Sequence, residues 1–380
     1  LFEPTLNRRD LLQKSAAFAA SMGLFAGVLR SASAQGDAPL KIGWSTIYLT
    51  PSWMTETSNE IDAELERMQG EGIEVEYQVF DANGDTPTQI AQIQTMIDQQ
   101  YDICLLIAGS ATALDSVVAD AHAAGVVVVN WDSLVTTDEL TAKVFEDQVE
   151  WGRLTAQWIV DELGGEGKIL AINGPAGIAV SEERWAGAKE IFDANPGIEI
   201  AGTANIEYNE APALVELTSL VAANPDIDGI WCQAGAHASA AMKALTQRGM
   251  QLVPIAGENF NGFLRQWRDA LDQGFSGFAT AELNWMAVVS LQLAVKAVNG
   301  EPVPSEVEIE LPIITNENVA EWANDDLPDD YYTIPEVPTT EEIDQMIADV
   351  ADIHEFFRPF RKAGTTPQAM RVETVRREQP

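Results

Sequence analysis

The sequence predicts an α/β protein that contains two doubly wound lobes, each built around a parallel sheet. Apolar runs of strand length alternate with helical patterns over residues 40–311, which is typical of βαβ units. The apolar runs are continuous rather than alternating, as in sheets that helices cover on both faces. The alternation restarts near residue 145, so we expect the second lobe to begin there.

The first half of the pattern contains four strands and three helices. The helices are assigned from the spacing of apolar residues, as where Ile61, Leu65 and Met68 fall on one face of the first helix. In chain order the elements are strand 40–46, helix 52–69, strand 73–80, helix 87–100, strand 103–108, helix 113–123 and strand 126–131.

The second half repeats this alternation. Two of its helices end before Asn-Pro pairs, Asn195-Pro196 and Asn224-Pro225, and proline cannot continue a helix, so both pairs indicate helix-to-strand turns. The elements are segment 143–145, helix 151–163, strand 168–172, helix 179–194, strand 198–203, helix 211–223, strand 229–233, helix 237–248, strand 252–256, helix 263–273, strand 277–280, helix 285–298 and segment 307–311.

A C-terminal extension, residues 312–357, follows the alternating pattern, and we expect it to pack on the lobes. Its first part is rich in proline and acidic residues. Residues 340–352 then have the pattern of a surface helix, which Thr340 is expected to cap. Residues 358–380 are basic, polar and aperiodic, which predicts a disordered tail.

The charge of the chain excludes some classes of partner. Residues 36–357 hold 12 of the 22 basic residues and 55 of the 59 acidic residues. A body this acidic repels nucleic acid and anionic membranes, which need a basic surface. The acidity is explained by a solvated surface of the kind found in salt-adapted organisms, and a cationic ligand is the alternative.

No cofactor, metal site or catalytic site is expected. Cys104 and Cys232 lie in separate apolar strands, which predicts two buried free thiols rather than a disulfide. The three histidines have no spacing that suits a metal ion. The sequence contains no G-x-S-x-G, no H-E-x-x-H and no P-loop motif, so we do not expect an enzyme.

The first 34 residues are predicted to be a twin-arginine signal peptide. Arg8 and Arg9 precede an apolar run, residues 16–29, in a pattern that resembles the twin-arginine export motif. A helix of this run spans about 21 Å, which is short for a hydrocarbon core of about 30 Å, although an uncleaved anchor is the alternative. Ala32-Ser33-Ala34 is a small-x-small cleavage site, so we expect a mature periplasmic protein that begins after Ala34.

Several segments carry a family resemblance. Thr50-Pro51-Ser52-Trp53 opens the first helix, Val126–Asp132 (VVVVNWD) is a strand that ends in an aspartate, and Ile255–Asn259 (IAGEN) follows a late helix. With these segments the chain resembles the type I periplasmic binding proteins, in their ribose- and galactose-binding branch, over residues 40–312. In that family the corresponding segments are Asn-Pro-aromatic-aromatic, a strand ending in a ligand-binding aspartate, and Gly-Phe-Asp.

The resemblance implies two Rossmann-like lobes joined by a three-strand hinge, because the family's chain crosses between its lobes three times. Lobe one would then comprise residues 40–144 plus 282–311, and lobe two residues 145–281. It also implies a monomeric solute-binding protein that captures a sugar, polyol or related small polar solute by hinge closure. The partners would be that solute and the permease subunits of an ABC importer. A sensor that signals to a receptor kinase or chemoreceptor, and a binding protein for a small cationic solute, are the alternatives.

The ligand is expected where strands end, since ligands of open α/β sheets bind beyond the carboxyl ends of the strands. There, carboxylates and amides can bond to pairs of hydroxyls, and tryptophans can cover the apolar face of a sugar. The candidate ligand-binding residues are Thr46, Thr50, Trp53, Ser110, Trp131, Asp132, Glu182, Tyr208, Gln233, Glu258, Asn259 and Glu282.

Several assignments within this set stay open from the sequence. The two tryptophans could instead pack in the core, and Asp132 could cap a turn. Glu183 or Arg184 could face inward instead of Glu182, and Glu258 competes with Asn259 for one role. Ser133 and Glu182 occupy the places in which the ribose-binding branch has arginines, so we expect the cleft to lack that arginine set.

Overall fold

A computed structural model describes residues 38–50, 52–335 and 337–361. The predicted signal peptide lies outside the described residues, as do residues 362–380 of the predicted tail. The described strands are Leu40–Thr46 (β1), Val75–Asp81 (β2), Ile103–Leu106 (β3), Val127–Trp131 (β4), Ala142–Phe145 (β5), Gly167–Asn173 (β6), Ile198–Asn205 (β7), Gly229–Cys232 (β8), Ile255–Glu258 (β9), Gly277–Thr280 (β10), Glu306–Glu308 (β11) and Ile313–Ile314 (β12).

The helices occupy the segments between these strands. They are Ser52–Gly70 (α1), Thr86–Asp98 (α2), Asp115–Ala123 (α3), Gln148–Glu162 (α4), Ala179–Ala194 (α5), Glu210–Ala223 (α6), Gly235–Gln247 (α7), Asn261–Ala270 (α8), Met286–Val298 (α9), Val319–Trp322 (α10) and Thr340–Arg361 (α11). None of the helices in the described part of the chain is long and apolar enough to cross a membrane.

The strands form two six-stranded sheets. The first has the order β11-β5-β4-β3-β1-β2 and is parallel throughout. The second has the order β12-β10-β9-β8-β6-β7 and is parallel except at β12. We call the first sheet with α1–α3 and α9 the first lobe, and the second sheet with α4–α8 the second lobe. The predicted fold of two parallel-sheet α/β lobes is confirmed.

The chain passes between the two sheets three times, the last time as it enters the extension. It passes from β5 to the second lobe through α4, returns between β10 and α9, and leaves the first sheet again between β11 and β12. Since β12 lies on the edge beside β10, the start of the extension belongs to the second sheet.

Burial explains why the central strands read as unbroken apolar runs. All four residues of β3 and all four of β8 are buried, because helices cover both faces of each sheet. The predicted free thiols are found there, since Cys104 and Cys232 are both buried and unpaired. Trp44, in the middle of β1, is also fully buried.

Two glycines allow α4 and α5 to touch through their backbones. A Cβ atom on Gly152 of α4 would lie 2.0 Å from the carbonyl oxygen of Arg184, and one on Gly187 of α5 would lie 1.9 Å from that of Val149. Real side chains do not tolerate such distances, so only glycine lets the helices approach this closely. This approach fixes the position of Arg184 in the second lobe.

The C-terminal extension differs from its predicted form in two respects. Its last helix is capped by Thr339 rather than Thr340: the Thr339 hydroxyl accepts the N–H of Glu342, whose carboxylate accepts the N–H of Thr339. The helix also continues to Arg361, so residues 358–361 are helical rather than part of a tail. It buries Ile343 and Ile347 on the face that packs against α9.

The contact between α4 and α5 can be tested with a single methyl group. We expect Gly152→Ala to lower the free energy of unfolding by about 1–3 kcal/mol, because the new methyl has no space between the helix backbones. The control is Gly70→Ala at the end of α1, where nothing lies within 4 Å, which should be neutral or slightly stabilising. Urea unfolding measures both, and equal stabilities would contradict the packing described.

Candidate functional site

A cavity of about 110 Å³ lies between the lobes, at the carboxyl ends of their parallel strands. Asp132 follows β4 in the first lobe, and Glu258 ends β9 in the second. Glu282 reaches the cavity from the segment that connects the lobes after β10. The site is therefore built jointly by the two sheets, where ligands of open α/β sheets bind.

The guanidinium of Arg184 is the central cation of the site. It is 2% exposed, and its Nη1 donates to Glu258 Oε1 at 2.8 Å and to the carbonyl of Gln233 at 2.8 Å. Its Nη2 donates to Glu282, and its Nε donates to Gln148 Oε1 at 2.7 Å. The group also lies 4.3 Å from the centroid of a Trp151 ring. These contacts hold it rigidly at the wall of the cavity.

Acidic groups outnumber this cation. Burial raises the pKa of Glu258 to about 7; the guanidinium opposes the rise and the Glu282 carboxylate adds to it. Burial, and then repulsion and a carboxyl–carboxyl hydrogen bond from Glu282, raise the pKa of Asp132 well above its usual range. The protonated form of Asp132 is therefore favoured beside the Glu282 carboxylate. At neutral pH the cluster can therefore both donate and accept hydrogen bonds, as a ligand rich in hydroxyls requires.

Asp132 occupies an unusual backbone position. Its φ of 57° lies in the left-handed region, which aspartate and asparagine tolerate better than most other residues. Its N–H donates to the carbonyl of Val144 on β5, so the turn begins directly at the end of β4. This conformation supports the carboxyl at the first lobe's side of the cavity.

Glu146, just behind this cluster, is a further buried carboxyl. It is 1% exposed, and neither of its carboxyl oxygens has a hydrogen-bond partner among the described residues. Burial, repulsion by Glu282, and the charges of Asp132 and Glu258 raise its pKa, against the opposing effect of Arg184. We therefore expect Glu146 to be protonated, since an unpaired buried charge is costly.

Aromatic side chains cover the side of the cavity that belongs to α1. Trp53 lies in the wall and donates its indole N–H to the carbonyl of Glu282 at 3.2 Å. Its ring centroid lies 5.9 Å from that of Trp131, which in turn lies 6.4 Å from that of Trp44. Trp131 is fully buried, so it supports Trp53 from the core and does not reach the cavity.

The structure brings half of the predicted residues into the cavity wall. They are Thr50, Trp53, Asp132, Tyr208, Glu258 and Glu282. It resolves two of the open choices: Arg184 faces inward rather than Glu182, and Glu258 lines the cavity rather than Asn259. The expectation that the cleft lacks the arginine of the lobe-two loop is wrong, because Arg184 supplies a guanidinium.

The other predicted residues lie outside the wall. Thr46 is buried and donates its hydroxyl to the carbonyl of Tyr48, while Ser110 accepts the N–H of Ala113. Glu182 is exposed and accepts the N–H of Gly177.

Gln233 and Asn259 act behind the wall. The side chain of Gln233 bonds to Gly174, Asn173 and Ser181 and accepts the hydroxyl of Tyr208, which fixes the loop after β6. Asn259 accepts the N–H of Glu282 and donates to the carbonyl of Thr333. Both amides thus position residues of the wall.

Tyr332 is the most important wall residue that the sequence did not indicate, and Arg184 was indicated only as an alternative to Glu182. A sequence signal existed for Arg184, because it lies four residues from both Val180 and Ala188 and so on the same helical face as these apolar residues. No comparable signal existed for Tyr332, which lies in the extension, outside any regular element.

Comparisons with known proteins agree with this architecture. Residues 42–302 match the family model described as periplasmic binding protein domain. The chain is 28% identical over 310 residues to the xylitol-binding protein of Mycolicibacterium smegmatis, covering 80% of this chain and 85% of that protein. It is 22% identical over 237 residues to the ribose import binding protein RbsB of Bacillus subtilis, covering 62% and 76%.

A solved structure shows the same fold. An ABC transporter solute binding protein from Thermobispora bispora superposes with a TM-score of 0.73, at 22% sequence identity. The match covers 82% of this chain and 96% of that one.

The buried ion pairs of Arg184 have a measurable consequence. We expect Arg184→Gln to lower the free energy of unfolding by about 3–5 kcal/mol, since it leaves buried carboxylates without their cation. Arg153→Ala, which breaks an exposed pair with Glu190, is the control and should cost less than about 1 kcal/mol.

The stability lost in Arg184→Gln should depend on pH. Without Arg184 the pKa of Glu258 rises further above its unfolded value, and a raised carboxyl pKa contributes stability that is lost as pH increases. The deficit of Arg184→Gln should therefore grow between about pH 6 and pH 8.5, because Glu258 of the unaltered protein ionises near pH 7 while that of the variant stays protonated. Urea unfolding across this range measures it, and a deficit that shrinks with pH would contradict the role of Arg184.

Proposed function

The chain belongs to the periplasmic binding protein family, and from that premise we propose that it captures a sugar, a polyol or a related small polar solute outside the cytoplasm and delivers it to an ABC importer. Proteins of this family bind solutes rather than transform them. We assign no catalytic residue and no metal to the site.

The observation that carries the proposal is the charged cluster in the wall of the cavity between the lobes. Asp132, Glu258, Glu282 and Arg184 offer hydrogen-bond donors and acceptors at short distances from one another. A molecule with several neighbouring hydroxyls can satisfy such a set. The xylitol-binding and ribose import relatives, by their names, recognise molecules of this chemistry.

The apolar part of the wall supports the same class of solute. Trp53, Met54, Ile47 and Ile107 line the cavity on the first lobe's side. Sugars and polyols carry C–H groups between their hydroxyls, and these groups pack favourably on aromatic and aliphatic surfaces. Because the wall comes from both lobes, a bound solute would hold the lobes together, which is how hinge closure responds to a ligand.

The proposed export rests on the sequence. Arg8, Arg9 and the apolar run of residues 16–29 support export of the protein itself across the membrane. The acidic body supports a role in binding a small molecule rather than nucleic acid.

A thermal-shift screen tests the proposal. We expect a sugar or polyol to raise the unfolding temperature, and the rise to grow with concentration, since only the folded protein binds. At 100 times the dissociation constant the added stability is about 2.7 kcal/mol. The panel should also contain sugar acids and small amines. A shift with small amines alone would point to a cationic solute instead, and no shift across several hundred solutes would contradict the proposal.

Substitution of Asp132 tests the site itself. We expect Asp132→Asn to weaken binding of the solute found in the screen by roughly 30-fold or more, because it removes a carboxyl that can bond to hydroxyls. Asparagine tolerates the left-handed backbone, so the fold should persist. Glu139→Gln, exposed on the same connection, is the matched control. Calorimetric titration measures both, and unchanged affinity of Asp132→Asn would show that the solute binds elsewhere.

A further inference from the structure

The C-terminal extension sends a segment, residues 323–335, past the rim of the cavity. We call it the strap. It begins after α10 and lies beyond residues 42–302, the part of the chain that matches the family model. It lies outside the two lobes as they are defined above.

Asn261, the first residue of α8, attaches the strap to the second lobe. Its side-chain amide donates to the carbonyls of Asn324, Leu327 and Pro328 at 2.8–3.0 Å, and its carbonyl oxygen Oδ1 accepts the N–H of Asn324. The backbone N–H of Asn261 also donates to the carbonyl of Tyr331. One fully buried side chain thus satisfies much of the strap's backbone.

Further contacts strengthen this attachment. Arg265 and Arg268 pair with Asp325 at 2.9–3.1 Å, and Arg265 also pairs with Asp329. Tyr332 forms a β-bridge with Phe260, and their ring centroids lie 5.5 Å apart. The strap is therefore fixed to the second lobe along its length.

The first lobe holds the strap at one carboxyl group. The N–H of Tyr332 donates to both oxygens of Glu56 on α1, at 2.9 and 3.1 Å. Glu56 is 4% exposed, and Asn284 donates to it at 3.4 Å. Since the strap is fixed to the second lobe and Glu56 belongs to the first, this contact joins the two lobes beside the cavity.

The contact presents Tyr332 to the cavity. Tyr332 is 3% exposed and lines the wall together with Glu258, Arg184 and Tyr208. The phenol of Tyr332 therefore belongs to the same wall as the charged cluster. A phenol beside this cluster can bond to a solute hydroxyl, while its ring covers part of the solute.

We propose that the strap is a third component of the solute site, in which Tyr332 contacts the solute and determines specificity and Glu56 positions Tyr332 through its backbone N–H. This inference rests on the proposed function, because it requires a solute in the cavity. It assigns a binding role to a part of the chain outside both lobes.

Titration calorimetry with Tyr332 variants tests the contact. The solutes used are xylitol, D-ribose, D-allose and myo-inositol, and affinity is compared for whichever binds the unaltered protein. Tyr332→Phe should weaken binding by roughly tenfold, since it removes a buried hydroxyl near the solute. Tyr332→Ala should weaken it further. Tyr331→Phe, at the neighbouring half-buried tyrosine of the strap, is the matched control and should change affinity by less than about twofold.

Substitution of Glu56 tests the positioning role. Glu56→Ala should weaken binding by roughly tenfold, and Glu56→Gln should restore affinity to within about threefold, because its amide oxygen can still accept the N–H of Tyr332. Burial raises the pKa of Glu56 to about 8, so the neutral glutamine also resembles the protonated acid. Equal affinities of the alanine and glutamine variants would overturn this role.

The outcomes separate the inference from the proposed function. Binding to the unaltered protein with unchanged affinity in both Tyr332→Phe and Tyr332→Ala would overturn the role of the strap and leave the proposed function intact. If the unaltered protein binds none of the four solutes, the specificity proposed for Tyr332 is overturned. The thermal-shift screen of several hundred solutes then decides the proposed function. If Tyr332→Ala does not fold, the affinity of Tyr332→Phe alone decides the role of the strap, because this variant keeps the ring that packs on Phe260.

Discussion

The guanidinium of Arg184 lies between the carboxylates of Glu258 and Glu282 in the interior of the protein, and the shape of the cleft follows from that ion pair. A buried charge must be paired and hydrogen-bonded, so the groups around it have little freedom. Gly152 and Gly187 let α4 and α5 meet closely enough to place the guanidinium there. The packing of two helices thus determines the geometry of the polar wall.

The excess of carboxyl groups gives the cleft its chemical character. One guanidinium cannot neutralise this many carboxyl groups, and burial raises the pKa values of Asp132, Glu146 and Glu258, which favours their protonated forms. Protonated carboxyls donate hydrogen bonds and ionised ones accept them. A cluster that holds both forms matches the alternating donors and acceptors of a polyhydroxylated solute without requiring a charged one.

Much of the fold follows from the sequence because its signals are local. Continuous apolar runs indicate buried strands such as β3 and β8, and proline after Asn195 and Asn224 ends the helices at Ala194 and Ala223. Strand ends also indicate where the polar residues of a site gather, and this rule is sufficient to predict Asp132 and Glu258 as site residues.

The rest of the site depends on tertiary contacts that local patterns do not contain. Glu182 and Arg184 are two residues apart on one helix, and only packing against α4 decides that Arg184 faces inward. Trp131 follows the same strand-end rule as Asp132 but is covered by Trp44 and Trp53. Tyr332 reaches the site through a strap without periodic pattern, which Asn261 and Glu56 hold in place.

The most direct measurement is a crystal structure of the protein with a sugar or polyol that stabilises it. The account predicts electron density for the solute between the lobes, in contact with Asp132 of the first lobe and Arg184 of the second. A solute bound outside this cavity, or one that contacts a single lobe alone, would contradict the account.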